Sequence, residues 1–260
     1  MKGCVAGVAG VAVAALMGSS VFVIAEEAEA PPEWEVSAEL GALNTTGNTE
    51  TMSLNGKIDV TQNLEHWRNN FIASALYKED VPDDDDSATD EREKTAEKYF
   101  VSAKSAYLLM GEHGNLFGYL SHTHDEFGSY RKYSTAAIGY GNRLIHTDSV
   151  TLDAEVGPGH YWGDKVVDED NNIIVKEDGF MVRVAGDLKW VISENATFTQ
   201  ELSGEFGDEN TRYQSDTAIS TKINGSLQMK AGYTVSHDTE VADDKEKTDT
   251  TTYINLVYSF

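Results

Sequence analysis

The sequence predicts an all-β fold: an antiparallel transmembrane β-barrel of about twelve strands behind an N-terminal signal peptide. Three features predict it. Apolar and polar residues alternate over segments of about ten; the connections alternate between short turns and longer polar loops; and the last apolar face runs to the terminal residue, Phe260. Strands of that length cross hydrocarbon when tilted, and in lipid only a closed sheet satisfies every backbone N–H and C=O.

The first element is the stretch MKGCVAGVAGVAVAALMGSSVFVIA. One lysine, an Ala/Val/Gly run and a small residue at Ala25 have the layout of a secretory signal peptide over residues 1–25. An uncleaved anchor is the alternative, since about twenty apolar residues span a bilayer. Cleavage removes Lys2 and the single cysteine, Cys4, so the formal charge of −24 becomes −25 (−24 minus one positive charge). The exported chain then has no disulfide or thiol chemistry. Residues 26–33 read as a short periplasmic segment and 34–260 as the barrel.

The strands follow in order. Trp34, Val36, Ala38, Leu40 and Ala42 alternate with Glu35, Ser37, Glu39 and Gly41 in a strand over 34–43. Met52, Leu54, Gly56, Ile58 and Val60 alternate with Ser53, Asn55, Lys57 and Asp59 in 51–61. The same period of two gives strands over 68–79, 96–109, 115–126, 131–144 and 149–161. The clearest contrast lies in 180–192, where Phe180, Val182, Val184, Leu188, Trp190 and Ile192 oppose Arg183, Asp187 and Lys189. Strands over 196–206, 212–223, 226–237 and 249–260 complete the set. Short turns are expected near residues 63–65, 111–114, 147–148 and 193–195, with a two-residue hairpin at Asn224-Gly225. The longer loops, 44–50, 80–95, 127–130, 162–179, 207–211 and 238–248, all fall at the other end.

That asymmetry is the pattern of a bacterial outer-membrane barrel with brief periplasmic turns and long external loops. A soluble secreted β-sandwich that acts as a binding module also alternates, but it accounts for neither the uniform strand length nor the terminal Phe260. Aromatic residues near the strand ends, Trp34, Trp67, Phe71, Tyr99, Tyr161, Trp162, Phe180, Trp190, Phe206, Tyr213 and Phe260, match interfacial girdles. The acidic balance excludes nucleic acid as a partner, because phosphate binding needs a basic face.

Leu256, Tyr258 and Phe260 resemble the C-terminal signal by which bacterial outer-membrane proteins are read by the barrel assembly machinery. The first hairpin, WEVSAELGALNTTGNTETMSLNGKIDV, with Gly41 and the turn Thr46-Gly47-Asn48-Thr49, resembles the YdiY-like family of salt-induced outer membrane proteins, a domain of unknown function. The resemblance runs loosely over 33–260. It implies an outer-membrane barrel among membrane lipids and lipopolysaccharide, and supplies no catalytic residues.

Candidate chemistry is sparse. His122 and His124 share a strand face with Glu126, and if Phe117, Tyr119 and Phe127 face lipid, the three line the lumen near its outer mouth as ligands for Zn²⁺ or another transition metal. A hydrogen-bonded polar pair is the simpler reading. An outer-membrane enzyme, either lipid hydrolase or protease, is the second function class. The His-x-Ser arrangement of barrel lipid hydrolases is absent, and a protease-like set at the extracellular mouth would have to be assembled from Asp84, Asp86, His122 and Asp125. The sequence therefore leads us to expect no enzyme and no cofactor. Acidic loops such as DVPDDDDSATDEREKT are candidates for weak Ca²⁺ or Mg²⁺ binding, against the reading of a hydrated external face screened by salt. The lumen set of Glu39, Lys57, Asp59, Arg183, Asp187, Lys189, Glu201, Glu205, Gln228 and Lys230 mixes both signs, and so fits either a narrow aqueous path or a web of ion pairs. The expected function is a structural or adaptive envelope protein responding to salt or osmotic conditions, or a narrow diffusion channel.

Overall fold

The computed structural model describes residues 32–45, 51–81, 92–109, 113–168, 173–242 and 245–260. The expected signal peptide, most of the segment 26–33, Gly47 and Asn48 of the family turn, and Asp84 and Asp86 lie outside the described residues.

Twelve strands form one closed antiparallel barrel in which each strand pairs with its sequence neighbours and β1 meets β12. They are β1 (Trp34–Thr45), β2 (Thr51–Asn63), β3 (Trp67–Asp80), β4 (Glu93–Leu108), β5 (Gly114–Asp125), β6 (Tyr130–His146), β7 (Val150–Asp168), β8 (Ile173–Ser193), β9 (Ala196–Gly207), β10 (Thr211–Lys222), β11 (Leu227–Asp238) and β12 (Thr248–Ser259). Closure into a single ring leaves no pair of facing sheets, so the sandwich alternative is excluded.

The alternation decides which face meets lipid. Leu40, Ile58, Leu120, Ile138, Phe180, Leu202 and Ile254 all stand on the outer wall and are more than half exposed. Residues of the opposite parity, such as Phe117, Ala137, Met181, Ala185 and Ala218, are buried inside. An outer wall this apolar, on a ring with every strand paired, is stable only in a bilayer, and the protein is an outer-membrane barrel. All but one of the expected girdle aromatics lie on this wall, with Trp34, Trp67, Trp190 and Phe260 at the turn-bearing end. The exception is Tyr161, which is buried inside.

Two connections differ from expectation. The segment 162–179 is not a loop: β7 and β8 run 19 and 21 residues and stay paired from Val150↔Trp190 up to Asp168↔Ile173. The hairpin therefore projects beyond the lipid as continuous sheet, where both of its faces can carry charge, and the charge disguised it as loop. Asn224-Gly225 is not a two-residue hairpin. Four residues separate β10 from β11, and Asn224 Oδ1 accepts from Ser226 N at 3.0 Å and Leu227 N at 2.9 Å, closing the turn through a side chain.

The closing seam is short. β1 and β12 pair only over Ser37↔Ser259 to Leu40↔Leu256, extended by Phe260 N donating to Val36 O at 2.9 Å. Above Leu40, β1 continues against β2, and β12 lies against β11, without pairing to each other among the described residues.

Candidate functional site in the barrel lumen

The inward side chains form two tiers. The upper tier, toward the loop-bearing end, is built on Tyr130, Tyr133, Tyr161 and Met181, which pack as one buried cluster. Tyr133 stacks on Tyr161 with ring centroids 5.6 Å apart and meets Tyr130 edge-on at 5.2 Å. A shift of register between Tyr130 and Lys132 turns both Tyr130 and Tyr133 inward although they are three apart.

Arginines from the opposite wall close over these rings. The Arg212 guanidinium lies 4.4 Å from the Tyr133 centroid and pairs with Asp238 at 3.2 Å. Arg183 lies 4.1 Å from the Tyr119 centroid and pairs with Glu205 at 2.9 Å. Thr135 Oγ1 donates to the same Glu205 at 3.3 Å. The Tyr130 hydroxyl donates to Glu177 at 2.9 Å, and Glu177 is also held by Lys165 at 3.2 Å. These contacts join β5 to β8, β6 to β9 and β6 to β10, so they cross the lumen rather than run along its wall. Above them, Lys245 Nζ reaches the Phe127 carbonyl at 2.9 Å, joining the β11–β12 connection to the β5–β6 connection. Asn210 anchors the same rim by donating to Asp238 and accepting from the backbone of Thr239 and Glu240.

The lower tier is richer in acid. Lys230 Nζ meets Glu39 at 3.0 Å, and Asn255 Nδ2 donates to the same carboxylate at 3.1 Å. Lys104 pairs with Glu155 at 2.7 Å, and Asp59 accepts from Asn70 at 2.7 Å. Asp216 accepts from Tyr253 at 2.9 Å and from Thr234 at 2.6 Å. Asp187, Glu201 and Asp216 are direct cross-strand neighbours on β8, β9 and β10. Like charges set opposite one another oppose pairing, so this row makes the inner wall negative. Below it, Arg143 grips Asp153 through two hydrogen bonds of 2.8 and 3.0 Å.

The expected lumen set is recovered: Glu39, Lys57, Asp59, Arg183, Asp187, Lys189, Glu201, Glu205, Gln228 and Lys230 share the inward parity. The histidines are not. Phe117 is 4 % exposed and Tyr119 lies beneath Arg183, so these two face the lumen, while Leu116 and Leu120 face lipid together with His122 and His124. On the outer wall, His122 Nδ1 lies 2.8 Å from Ser134 Oγ, and His124 Nε2 lies 3.5 Å from Glu126. Asp125, by contrast, points inward to Lys98 at 3.1 Å. His122 and Asp125 thus stand on opposite faces of β5 and cannot act on one substrate. Among the described residues, no three His, Cys, Asp or Glu side chains gather as a metal site. Asp80, at the external end of β3, is held by Lys78 at 2.6 Å and Thr95 at 2.9 Å.

Sequence reasoning missed Tyr119, Tyr130, Tyr133, Tyr161, Arg212, Asp216 and Tyr253 as lumen residues. Where both faces of a strand hold aromatic or small residues, as in Tyr133-Ser134-Thr135-Ala136-Ala137-Ile138, alternation fixes the period but not the phase.

Gly41 has an identifiable role. A Cβ there would collide with the Asn55 and Asn255 carboxamide oxygens and come within 2.9 Å of the Ile254 carbonyl, so only glycine lets β1 lie against β12 at the top of the paired seam.

Comparisons with known proteins agree with this architecture. A family described as "Protein of unknown function, DUF481" matches residues 38–260. The chain is 29% identical over 242 residues to "Uncharacterized protein YdiY" of Escherichia coli (strain K12), covering 92% of this chain and 89% of that protein. Among solved structures, it is similar to the NanC porin with a TM-score of 0.50 and 8% identity, covering 86% of this chain and 98% of that one. The translocator domain of the autotransporter NalP from Neisseria meningitidis matches with a TM-score of 0.49 and 10% identity over 90% of each chain. At such an identity the likeness to the NanC porin concerns the fold alone.

Proposed function

The chain belongs to the DUF481 family, and from that premise and its occupied lumen we propose that it is a structural, adaptive barrel of the outer membrane whose narrow, cation-preferring path is held shut from the outside. The observation that carries this reading is the set of contacts across the lumen, Arg212 on Tyr133 and Arg183 on Tyr119. An open porin keeps its water column clear; here aromatic rings and guanidinium groups meet where that column would pass. Beneath them, the row Asp187, Glu201 and Asp216 favours cations in whatever water the lower lumen holds.

The adaptive part of the proposal rests on charge. A formal net charge of −24 destabilises the compact state at low ionic strength by self-repulsion, and salt screens it. A barrel of this kind suits an envelope exposed to changing salt.

Refolded protein in planar bilayers tests the reading. The wild type is expected to stay silent or open briefly. Replacing Tyr119 and Tyr133 by Ala removes the ring surfaces but keeps both arginine–carboxylate pairs. It should raise the open probability about tenfold, the effect of losing one to two kcal/mol of cation–π contact. Openings should reverse at a potential set by cations in a salt gradient. Large, steady wild-type conductance would overturn the proposal.

A further inference from the structure

The outer wall carries an inference independent of the lumen plug. A depression of about 580 Å³ crosses it from β4 to β8. Parity turns Ala103, Gly118 and Ala136 outward as its floor, while Leu120, Ile138 and Phe180 stand out around them, 59%, 69% and 79% exposed. A Cβ added at Gly118 would meet nothing within 4 Å, so the floor is open to the outside. These six residues are all apolar and lie on the lipid-facing band of the barrel, where the medium that fills a hollow is acyl chain.

Polar groups stand directly above the depression on the same strands. Toward the loop-bearing end, Leu120↔Ala136 is followed in the register by His122↔Ser134 and then by His124↔Lys132. Ser134 lies opposite Trp162, an exposed aromatic of the outer girdle. His122 Nδ1 is 2.8 Å from Ser134 Oγ, and the His124 ring lies 6.4 Å from that of Tyr99. A chain seated in the depression therefore leads up to hydroxyl, imidazole and ammonium groups, with tail inside and head outside as a lipid of the outer leaflet requires.

The balance of charge on this face says which head it suits. The chain as a whole carries −24, but here Arg131, Lys132 and Lys176 match Glu126, Asp164 and Asp178. Glu126 is held between Arg131 at 2.6 Å and His124 at 3.5 Å, and Asp178 is held by His160 at 3.4 Å. Asp164 is flanked in the register by Lys132 and Lys176, neither of which has an ion pair among the described residues. Phosphate oxygens accept from ammonium, imidazole and hydroxyl donors alike, and basic groups at the edge of the hydrocarbon select lipids with phosphate heads.

We propose that the outer face of β4 to β8, from Gly118 up to Lys132, is a binding site for a phosphate-bearing acyl lipid of the outer leaflet. One acyl chain lies over Ala103, Gly118 and Ala136, and the phosphate is held by Lys132 with His122, His124 and Ser134. Trp162 borders the junction of head and chain.

Trp162 also supplies the test, because Trp34, Trp67 and Trp190 lie at the turn-bearing end. The full barrel carrying Trp34→Phe/Trp67→Phe/Trp190→Phe is refolded in phosphatidylcholine vesicles. Quenching of Trp162 is compared for phosphatidic acid and phosphatidylcholine bearing the same brominated chains. Phosphatidic acid should bind about fivefold more tightly. Lys132→Gln/His122→Gln should bring the two lipids close to parity, and Gly118→Leu, which fills the open floor, should lower the preference severalfold. Excess inorganic phosphate should leave the quenching unchanged. In native mass spectrometry the wild-type barrel should retain phosphatidic acid under conditions that strip phosphatidylcholine. Equal quenching by the two lipids, a preference untouched by Lys132→Gln/His122→Gln or by Gly118→Leu, displacement by inorganic phosphate, or a wild-type dimer that retains no lipid would overturn the proposal.

Discussion

At the scale of single residues, backbone geometry makes the sharpest demands at Gly41 and His113. Gly41→Ala forces a methyl group into two carboxamides and a carbonyl at the seam, and should lower stability by about 2 kcal/mol, read as a smaller urea midpoint for the refolded barrel. His113 sits in the β4–β5 turn with φ of 76°, a conformation that costs an L-residue about 1 kcal/mol. His113→Gly should therefore raise the midpoint, while His113→Val should lower it. Gly41 was legible as a family residue in the sequence, but its reason was not, because Asn55 and Asn255 converge on it from strands far apart in the chain. His122 and His124 show the opposite case. Their sharing of one face was legible; the identity of that face was not, because Phe117 and Tyr119 fill the lumen instead of meeting lipid.

At the scale of elements, the strands were readable wherever one face is apolar and the other charged. Phe180 to Ile192 is the clearest example, and ten of the twelve strands lie close to their expected spans, β7 and β8 running on beyond theirs. Reading failed where the sheet leaves the membrane, since the upper part of β7 and β8 has no lipid to impose an apolar face. It failed again at the bulge beside Tyr130, where one shifted residue reverses the inward parity. The last strand yields a prediction at this scale. Removing Phe260 deletes its amide bond to Val36 and its edge contact with Tyr258, whose ring centroid lies 4.6 Å away. On a seam of four paired positions this loss is a large fraction, so the yield of heat-modifiable, folded barrel should drop severalfold, whereas a comparable cut in the longer β7–β8 pairing should be tolerated.

For the whole molecule, charge and closure were both visible in the composition and in the alternation of turns with loops. The state of the lumen was not, because it depends on which rings and guanidinium groups meet from opposite walls. The net charge of −24 gives a global prediction. Raising sodium chloride from about 0.01 M to about 0.5 M shortens the Debye length from about 30 Å to a few Å, which screens carboxylate repulsion at the external end. The urea midpoint should rise with salt over that range, and should rise less in a variant whose external acids are replaced by Asn and Gln. A midpoint that falls with salt would show that the ion pairs of the lumen, not the repulsion outside it, dominate the electrostatics.

The short seam also orders events in time. Eleven of the twelve strand pairings join neighbours in sequence and can zip from their turns, but β1 with β12 must bring together segments separated by nearly the whole chain. Loop-closure entropy makes that pairing the slowest to arrive, and four positions reward it little once it does. The ring should therefore pass through a long-lived open sheet before it shuts, and on unfolding it should part first at the same place.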